Sequence, residues 1–282
     1  MIENVNQSGR FEPLHDAHAI EQVVIVVQMA GPVGGEVFAS VRKTSELFRD
    51  DLPGQAEIQK LTVAFGQDPG FLGQPAQSEA HGFVMSRMAP NGVVETELRL
   101  EQGSITFRTT VYTRWNAVWA HAKKYLDILA PVYARTASVA AISLNFIDKF
   151  VWVGDIAGCS PKLLLRPASK YVAPHVFELG DLWHSHTGAF LPANSQVKRL
   201  LNVNVDYLHE EPISGPRRLI GISTSLTDLF NQPGYDPLQL DLDAVPQFLN
   251  DRMNDLHQFS KVAFGEVISA NMSRRVALSI PS

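Results

Sequence analysis

Three segments of alternating polarity follow one another within 83–112, separated by turns at Asn91 and Gly92 and at Gln102 and Gly103. Asn-Gly readily adopts the positive φ angles of a two-residue hairpin turn, and a period of two places alternate side chains on opposite faces. The residues predicted to face inward are Leu98, Leu100, Ile105, Phe107 and Val111. The segment therefore predicts an antiparallel meander with one buried face.

Two long amphipathic helices are predicted, one in each half of the chain. The first, at 113–129, has an apolar stripe formed by Trp115, Val118, Trp119, Ala122, Tyr125, Leu126 and Leu129. The second follows Asp243 as its N-cap and has a stripe formed by Val245, Leu249, Met253, Leu256 and Phe259. Such a stripe is typical of a helix that lies across a sheet, so the paired tryptophans are interpreted as core residues and not as a surface that stacks on a cofactor.

The remaining elements define the fold class. Further strands are predicted at 20–29, 58–65, 138–152, 175–187, 196–207 and 218–226, and a shorter helix at 36–48. We predict an α+β fold of two related units, each a mainly antiparallel sheet packed against a long helix. The predicted boundaries are an N-terminal tail at 1–18, a first unit at 19–133 and a second unit at 134–282, with one continuous domain as the alternative.

Composition excludes several classes of function. Lysine and arginine number 24 against 29 aspartate and glutamate, a net charge of -5, so nucleic acid is not an expected partner. The basic pairs at 198–199, 217–218 and 274–275 are interpreted as solvated surface. Cys159 is the single cysteine, which excludes an internal disulfide and fits a reducing cytoplasm. A polar start and the absence of a run of ~18 apolar residues predict neither an export signal nor a membrane span.

The residues that most resemble a metal site are His184 and His186. Two positions apart on a strand, they would project from the same face and could present two imidazoles to zinc or manganese. A third ligand would have to come from elsewhere, and the choices are His175, Asp206 and His209. Without it, the two histidines are expected on a solvent-facing strand edge, with no cofactor.

Three other features could carry chemistry. Asp148 lies in an otherwise apolar strand face, so we expect it at a sheet edge, paired with a basic group or within a site, and we favour pairing. The glycine-rich segment 31–35 lacks the phosphate-loop pattern and is interpreted as a turn. Cys159 lies in a loop-like sequence and is interpreted as incidental.

Part of the chain resembles a sporadically distributed bacterial family of uncharacterised proteins. The similarity lies in the Tyr112, Thr113, Arg114, Trp115 opening of the first long helix and in the strand at 142–148. The C-terminal Leu256 and His257, followed by Phe264 and Ile268, is also similar. Family members more often carry asparagine at the position of Asp148. The resemblance implies a bacterial origin and supplies no catalytic residues.

The sequence favours binding over catalysis. We expect a non-catalytic bacterial protein that binds a protein or a small-molecule ligand through the face or groove of its sheets, aided by loops at 67–78 and 154–174. The sporadic distribution implied by the resemblance suits an accessory role in defence or immunity. The alternative is a metal-dependent hydrolase or nuclease that uses His184 and His186.

Overall fold

The computed structural model describes residues 9–62, 77–211 and 215–279. Within these residues ten strands form one sheet, with four α-helices and several short 3-10 turns. The strands are β1 (Arg10–Pro13), β2 (Ile20–Met29), β3 (Gly54–Thr62), β4 (Gln77–Met88), β5 (Val94–Glu101), β6 (Ser104–Thr109), β7 (Val139–Val153), β8 (Trp183–Asn194), β9 (Val197–Glu210) and β10 (Arg217–Leu229). The helices are α1 (Gly35–Ser45), α2 (Trp115–Ala134), α3 (Val245–Val267) and α4 (Ala270–Arg275).

The sheet is antiparallel and runs β3-β4-β5-β6-β2-β7-β10-β9-β8. Its centre is the pairing of β2 with β7, in which Ile25 lies opposite Leu144. β1 pairs with the end of β7, beyond the residues that pair with β2. The α+β class and the antiparallel sheet are therefore confirmed, and a single sheet crosses the predicted boundary near 133–134. That the two halves are related to each other stays a prediction.

The helices cover one face of the sheet. α2 packs on β2 and β6, α3 packs on β7 and β10, and the two helices contact each other. The apolar side chains of the strands are buried beneath them, while the other face carries half-buried polar groups such as Asn145, Asn204 and Ser223. The four predicted stripe residues of α3 from Val245 to Leu256 are buried, as are all seven of α2.

Several element boundaries differ from the prediction. Residues 10–13, assigned to a tail, form β1 because Phe11 packs edge-on against Trp152 in the core. Pro131 lies inside α2 and not after it. Val111 follows the end of β6 and is 51% exposed, so it does not face inward. Asp243 lies in a 3-10 turn, and the N-cap of α3 is Ala244.

The predicted strand at 175–187 is two different elements. Pro174–Glu178 is a 3-10 helix, because Pro174 fixes a turn conformation at its start, and β8 begins only at Trp183. In the first half, 63–65 of a predicted strand and 67–76 of a predicted loop lie outside the described residues, while 77–78 belong to β4. The loop at 154–174 contains two 3-10 turns, Ile156–Gly158 and Pro161–Leu163.

Polar contacts hold α3 against α2 and against the sheet. The Trp119 indole donates a hydrogen bond to Asn250 Oδ1 (2.9 Å), and the Trp115 indole donates one to Asn254 Oδ1 (3.3 Å). Arg199 on β9, which we interpreted as surface, is buried and forms ion pairs with other elements. These contacts set the distance between α3 and the strands below it.

Candidate functional site

A cavity of about 340 Å³ opens where α2 begins and the second half of α3 passes over the sheet. Its volume falls within the ~300–1,000 Å³ range of ligand pockets. Phe146, Asp148 and Thr224 from the strands form its floor. The chain before β2 and the segment 276–279 after α4 complete the walls. The cavity therefore collects residues from parts of the chain that are far apart in sequence.

The carboxyl of Asp148 is buried in the floor and has no partner among the described residues. Asp148 is 4% exposed, and no described residue forms a hydrogen bond or an ion pair with its side chain. Burial raises the pKa of its carboxyl to about 8, because the ionised form loses its hydration and gains nothing in exchange. The pairing that we favoured from the sequence is therefore not found among the described residues, and Asp148 is a polar group that lines a cavity.

The sheet is irregular beside this carboxyl. Ile20 of β2 lies opposite Asp148, but Gln22 lies opposite Ile147, so the register shifts by one residue at Glu21. Such bulges re-aim side chains and are common next to functional sites. The irregularity lies where β2 approaches the cavity.

Thr224 is a second unpartnered polar group in the floor. It lies opposite Phe146 on β10, is fully buried, and its Oγ1 has no hydrogen-bond partner. A buried hydroxyl without a partner costs about 1–3 kcal/mol. Asp148 and Thr224 thus offer polar atoms to whatever fills the cavity.

Five aromatic rings form a continuous row along the cavity, which we call the aromatic row. The ring centroids of neighbours lie 5.0 Å apart for His18 and Tyr112, 6.4 Å for Tyr112 and Phe146, and 6.0 Å for Phe146 and Trp115. His257 stacks on Trp115 with centroids 4.5 Å apart and an 8° angle between planes. Burial and the nearby Asp148 raise the pKa of Tyr112. The row and the carboxyl therefore belong to one site.

The two histidines of the aromatic row are uncharged near neutral pH. Burial, then the charge of Lys261, lowers the pKa of His257 to about 4. Burial, followed by the neighbouring His15, also lowers the pKa of His18. The Nδ1 atoms of both rings are buried and have no hydrogen-bond partner. Each ring thus offers an aromatic face and one nitrogen, Nδ1, without a partner among the described residues.

Two cations lie at the rim. Lys261 Nζ donates a hydrogen bond to Ser279 Oγ (3.2 Å), and Arg114 donates one to the carbonyl of Thr113 (3.0 Å). Among the described residues, neither forms an ion pair with a carboxylate. Arg114 is also the N-cap of α2, whose first turn contains no acidic residue and no side-chain cap. The rim is therefore positive.

The predicted metal residues lie elsewhere, on the opposite face of the sheet. His184 and His186 are exposed on the edge strand β8, with His184 Nδ1 2.7 Å from Asp206 Oδ1 and His186 Nε2 3.4 Å from Asn202 Oδ1. His209 instead lies 3.4 Å from Glu211. In the part of the chain that the structure describes, no group of three potential ligands is placed to hold a metal ion. Metal binding by the two histidines stays a prediction.

The structure also shows the positions of the other residues considered from the sequence. Cys159 is half-buried, accepts a hydrogen bond from the Tyr207 hydroxyl (3.3 Å), and has its pKa raised by burial. Residues 31–34 connect β2 to α1, and Gly35 is the first residue of that helix. Trp115 is a core residue and also lines the cavity. Sequence reasoning missed His18, Thr224 and His257: Thr224 and His257 are polar residues within or beside a predicted apolar face, whereas His18 lies in the predicted tail and carries no such signal.

No family model and no curated protein matches this chain. The bacterial family resemblance of the sequence therefore stays a prediction. None of the described helices is both long and apolar enough to cross a bilayer.

Proposed function

We propose that the protein binds a small organic molecule in the cavity between α2, α3 and the centre of the sheet. The observation that carries the proposal is the buried, unpartnered Asp148, next to the equally unpartnered Thr224, in a cavity of about 340 Å³. Buried polar groups are otherwise hydrogen-bonded in native proteins. A ligand that supplies the missing partners would repay the cost of burying them.

The cavity supports binding better than bond-making. A nucleophile needs a base within hydrogen-bond reach, but the hydroxyl of Thr224 has no partner and that of Ser260 donates to the carbonyl of His257 (2.8 Å). Neither of these two hydroxyls is thus activated, and a third, Ser279 Oγ, accepts a hydrogen bond from Lys261 Nζ (3.2 Å) instead of donating one to a base. We accordingly propose a non-catalytic binding protein, acting in the bacterial cytoplasm, as the single cysteine and the family resemblance favour.

A fragment screen tests this proposal. We expect some compounds of a general fragment library to give saturation-transfer NMR signals with the wild-type protein. Ser260→Leu, which places an apolar side chain into the cavity from α3, should abolish those signals by filling the space. The double variant His184→Ala/His186→Ala, on the far face of the sheet, should retain them.

Two results would contradict the proposal. One is a folded wild-type protein to which no fragment binds. The other is binding that Ser260→Leu leaves unchanged, since the ligand would then lie outside the cavity. Thermal unfolding of each variant shows whether it is folded.

A further inference from the structure

The ionisable groups of the cavity are arranged with the acidic group at one end and the basic groups at the other. Of the described residues that line it, Asp148 is acidic and lies in the floor, whereas Arg114 and Lys261 are basic and line the opening. The aromatic row lies between them. We infer that the ligand is a zwitterion whose ammonium group reaches Asp148 and whose anionic group meets Arg114 and Lys261. This inference rests on the proposed function and names the ligand class.

The floor suits an ammonium group for two reasons. A buried carboxyl without a partner is stabilised when a cation with N–H donors reaches it, because charge-assisted hydrogen bonds are the strongest of their kind. Aromatic ring faces also attract organic cations when desolvated. Phe146 and Trp115 present such rings beside Asp148, and the two neutral histidines add no opposing charge there.

The opening suits an anion. Arg114 and Lys261 have no carboxylate partner among the described residues, and their charges act on the cavity, since Lys261 lowers the pKa of His257 and Arg114 contributes to lowering that of His18. The backbone N–H groups of the first turn of α2 lie at the same end, where the helix dipole favours negative charge. Asn116 of this turn lines the cavity.

Ligands with one charge fit less well. A simple cation would have to pass Arg114 and Lys261 and would leave both without a partner. A simple anion would satisfy the opening but leave the carboxyl of Asp148 unpaired. A zwitterion with separated charges and an apolar body satisfies both ends, with its body against the aromatic row.

Four matched probes test the inference: benzylamine, benzoate, 4-(aminomethyl)benzoate and benzyl alcohol, with dissociation constants measured by NMR titration. We expect 4-(aminomethyl)benzoate to bind about tenfold more tightly than benzylamine or benzoate, each of which lacks one of its two charged groups, and more tightly still than benzyl alcohol, which lacks both. Asp148→Asn should reduce its affinity to that of benzoate. Arg114→Met/Lys261→Met should reduce it to that of benzylamine, while His184→Ala/His186→Ala should change nothing.

The outcomes separate this inference from the proposed function. Equal or tighter binding of benzoate or of benzylamine overturns the zwitterion. Equal binding of benzyl alcohol overturns any role of charge, and an unchanged preference in Asp148→Asn overturns the contact between the ammonium group and that carboxyl; in both cases the cavity would still bind ligands. If no probe binds but library fragments do, the inference fails alone. If neither binds, the proposed function fails with it.

Discussion

Two polar residues on the cavity floor lower the stability of the protein. Asp148 and Thr224 occupy sheet positions that in other strands hold valine, leucine or isoleucine, and neither side chain has a hydrogen-bond partner among the described residues. A core residue selected for stability alone would be apolar at such a place. Natural proteins violate such rules mainly at functional sites, where a ligand supplies the missing contacts.

The pKa of Asp148 makes stability depend on pH in a defined window. Below about pH 4 the carboxyl is protonated in both states, whereas up to about pH 8 the folded protein keeps a proton that the unfolded chain has lost. The free energy of unfolding of the wild type should therefore fall across this window, by up to about 1.4 kcal/mol per pH unit. Asp148→Asn lacks this pH-dependent loss of stability, because its side chain has no carboxyl to titrate.

We predict that Asp148→Asn is about as stable as the wild type at pH 4 and more stable, by ~2 kcal/mol or more, at pH 8. Urea unfolding of both proteins at each pH measures the difference. Tyr112, His18 and His257 also face this region, but they are common to both proteins and cancel in the comparison. Parallel stability curves would show that Asp148 has no raised pKa.

Thr224 gives a prediction with a matched control of opposite sign. Thr224→Val removes a buried hydroxyl that has no partner, so the variant should be more stable by about 1 kcal/mol. Thr109 is equally buried, but its hydroxyl donates to the carbonyl of Glu95 (2.9 Å) and accepts from the backbone of Val111 (3.1 Å). Thr109→Val should therefore lose about 1 kcal/mol or more. Chemical denaturation of both variants checks the signs, and a loss of stability in Thr224→Val would contradict the prediction.

At the level of elements, the periodicity of apolar residues correctly predicted local features, namely the strands of the meander and the buried faces of the long helices. Alternation identified the meander of β4, β5 and β6, and the stripes of α2 and α3 identified which helix face is buried. It failed where tertiary contacts decide: Pro131 is tolerated inside α2, and Arg199 is inward because the alternation of β9 continues through it. We interpreted Lys198 and Arg199 as surface because they form a basic pair, without considering that neighbouring residues of a strand point to opposite faces of the sheet.

The candidate site was predictable only in part for the same reason. Asp148 was recognisable because a charged residue interrupts an apolar strand face. His18 and His257 come from the two ends of the chain, and no local pattern brings them to Asp148. The exposed pair His184 and His186 has the stronger local pattern, yet the structure places it on the edge strand, away from the cavity.

The contacts that attach α3 to the sheet predict a large loss of stability when Arg199 is replaced. Arg199 on β9 forms two hydrogen bonds with Asp228 on β10 (2.6 and 2.8 Å) and one with Asp255 on α3 (2.7 Å). Among the described residues, Arg199→Met would leave the fully buried Asp228 with Arg252, 3.9 Å away, as its remaining ion-pair partner, so the variant should lose about 3–5 kcal/mol of stability.

A surface pair provides the control for that variant. Arg49 forms an ion pair with Glu46 (2.7 Å) in which both side chains are about half exposed. Arg49→Met should cost less than ~1 kcal/mol, because water and salt screen such pairs. Denaturant unfolding compares the two variants, and equal effects would show that the buried pair does not anchor α3.

At the scale of the whole molecule, the sheet joins the two halves through a long ladder between β2 and β7. Every paired residue of β2 from Val23 to Val27 has partners on both sides, β6 and β7, so the boundary between the halves is as fully hydrogen-bonded as their interiors. α2 and α3 also contact each other above this line. Two independent domains would share a smaller and more polar interface.

We therefore predict that the protein unfolds in one cooperative transition. Its four tryptophans allow the test, since Trp119 lies in the first half and Trp183 in the second. One variant retains only Trp119 and the other only Trp183, with phenylalanine at the other three positions. Any difference between their urea midpoints should come only from the different overall stabilities of the two variants. Far-ultraviolet circular dichroism of each variant should follow its fluorescence, because any loss of the β2 and β7 ladder exposes both halves at once. Within one variant, a fluorescence midpoint separate from the circular dichroism midpoint would mean that the halves unfold independently, and the sheet would then be two domains in contact.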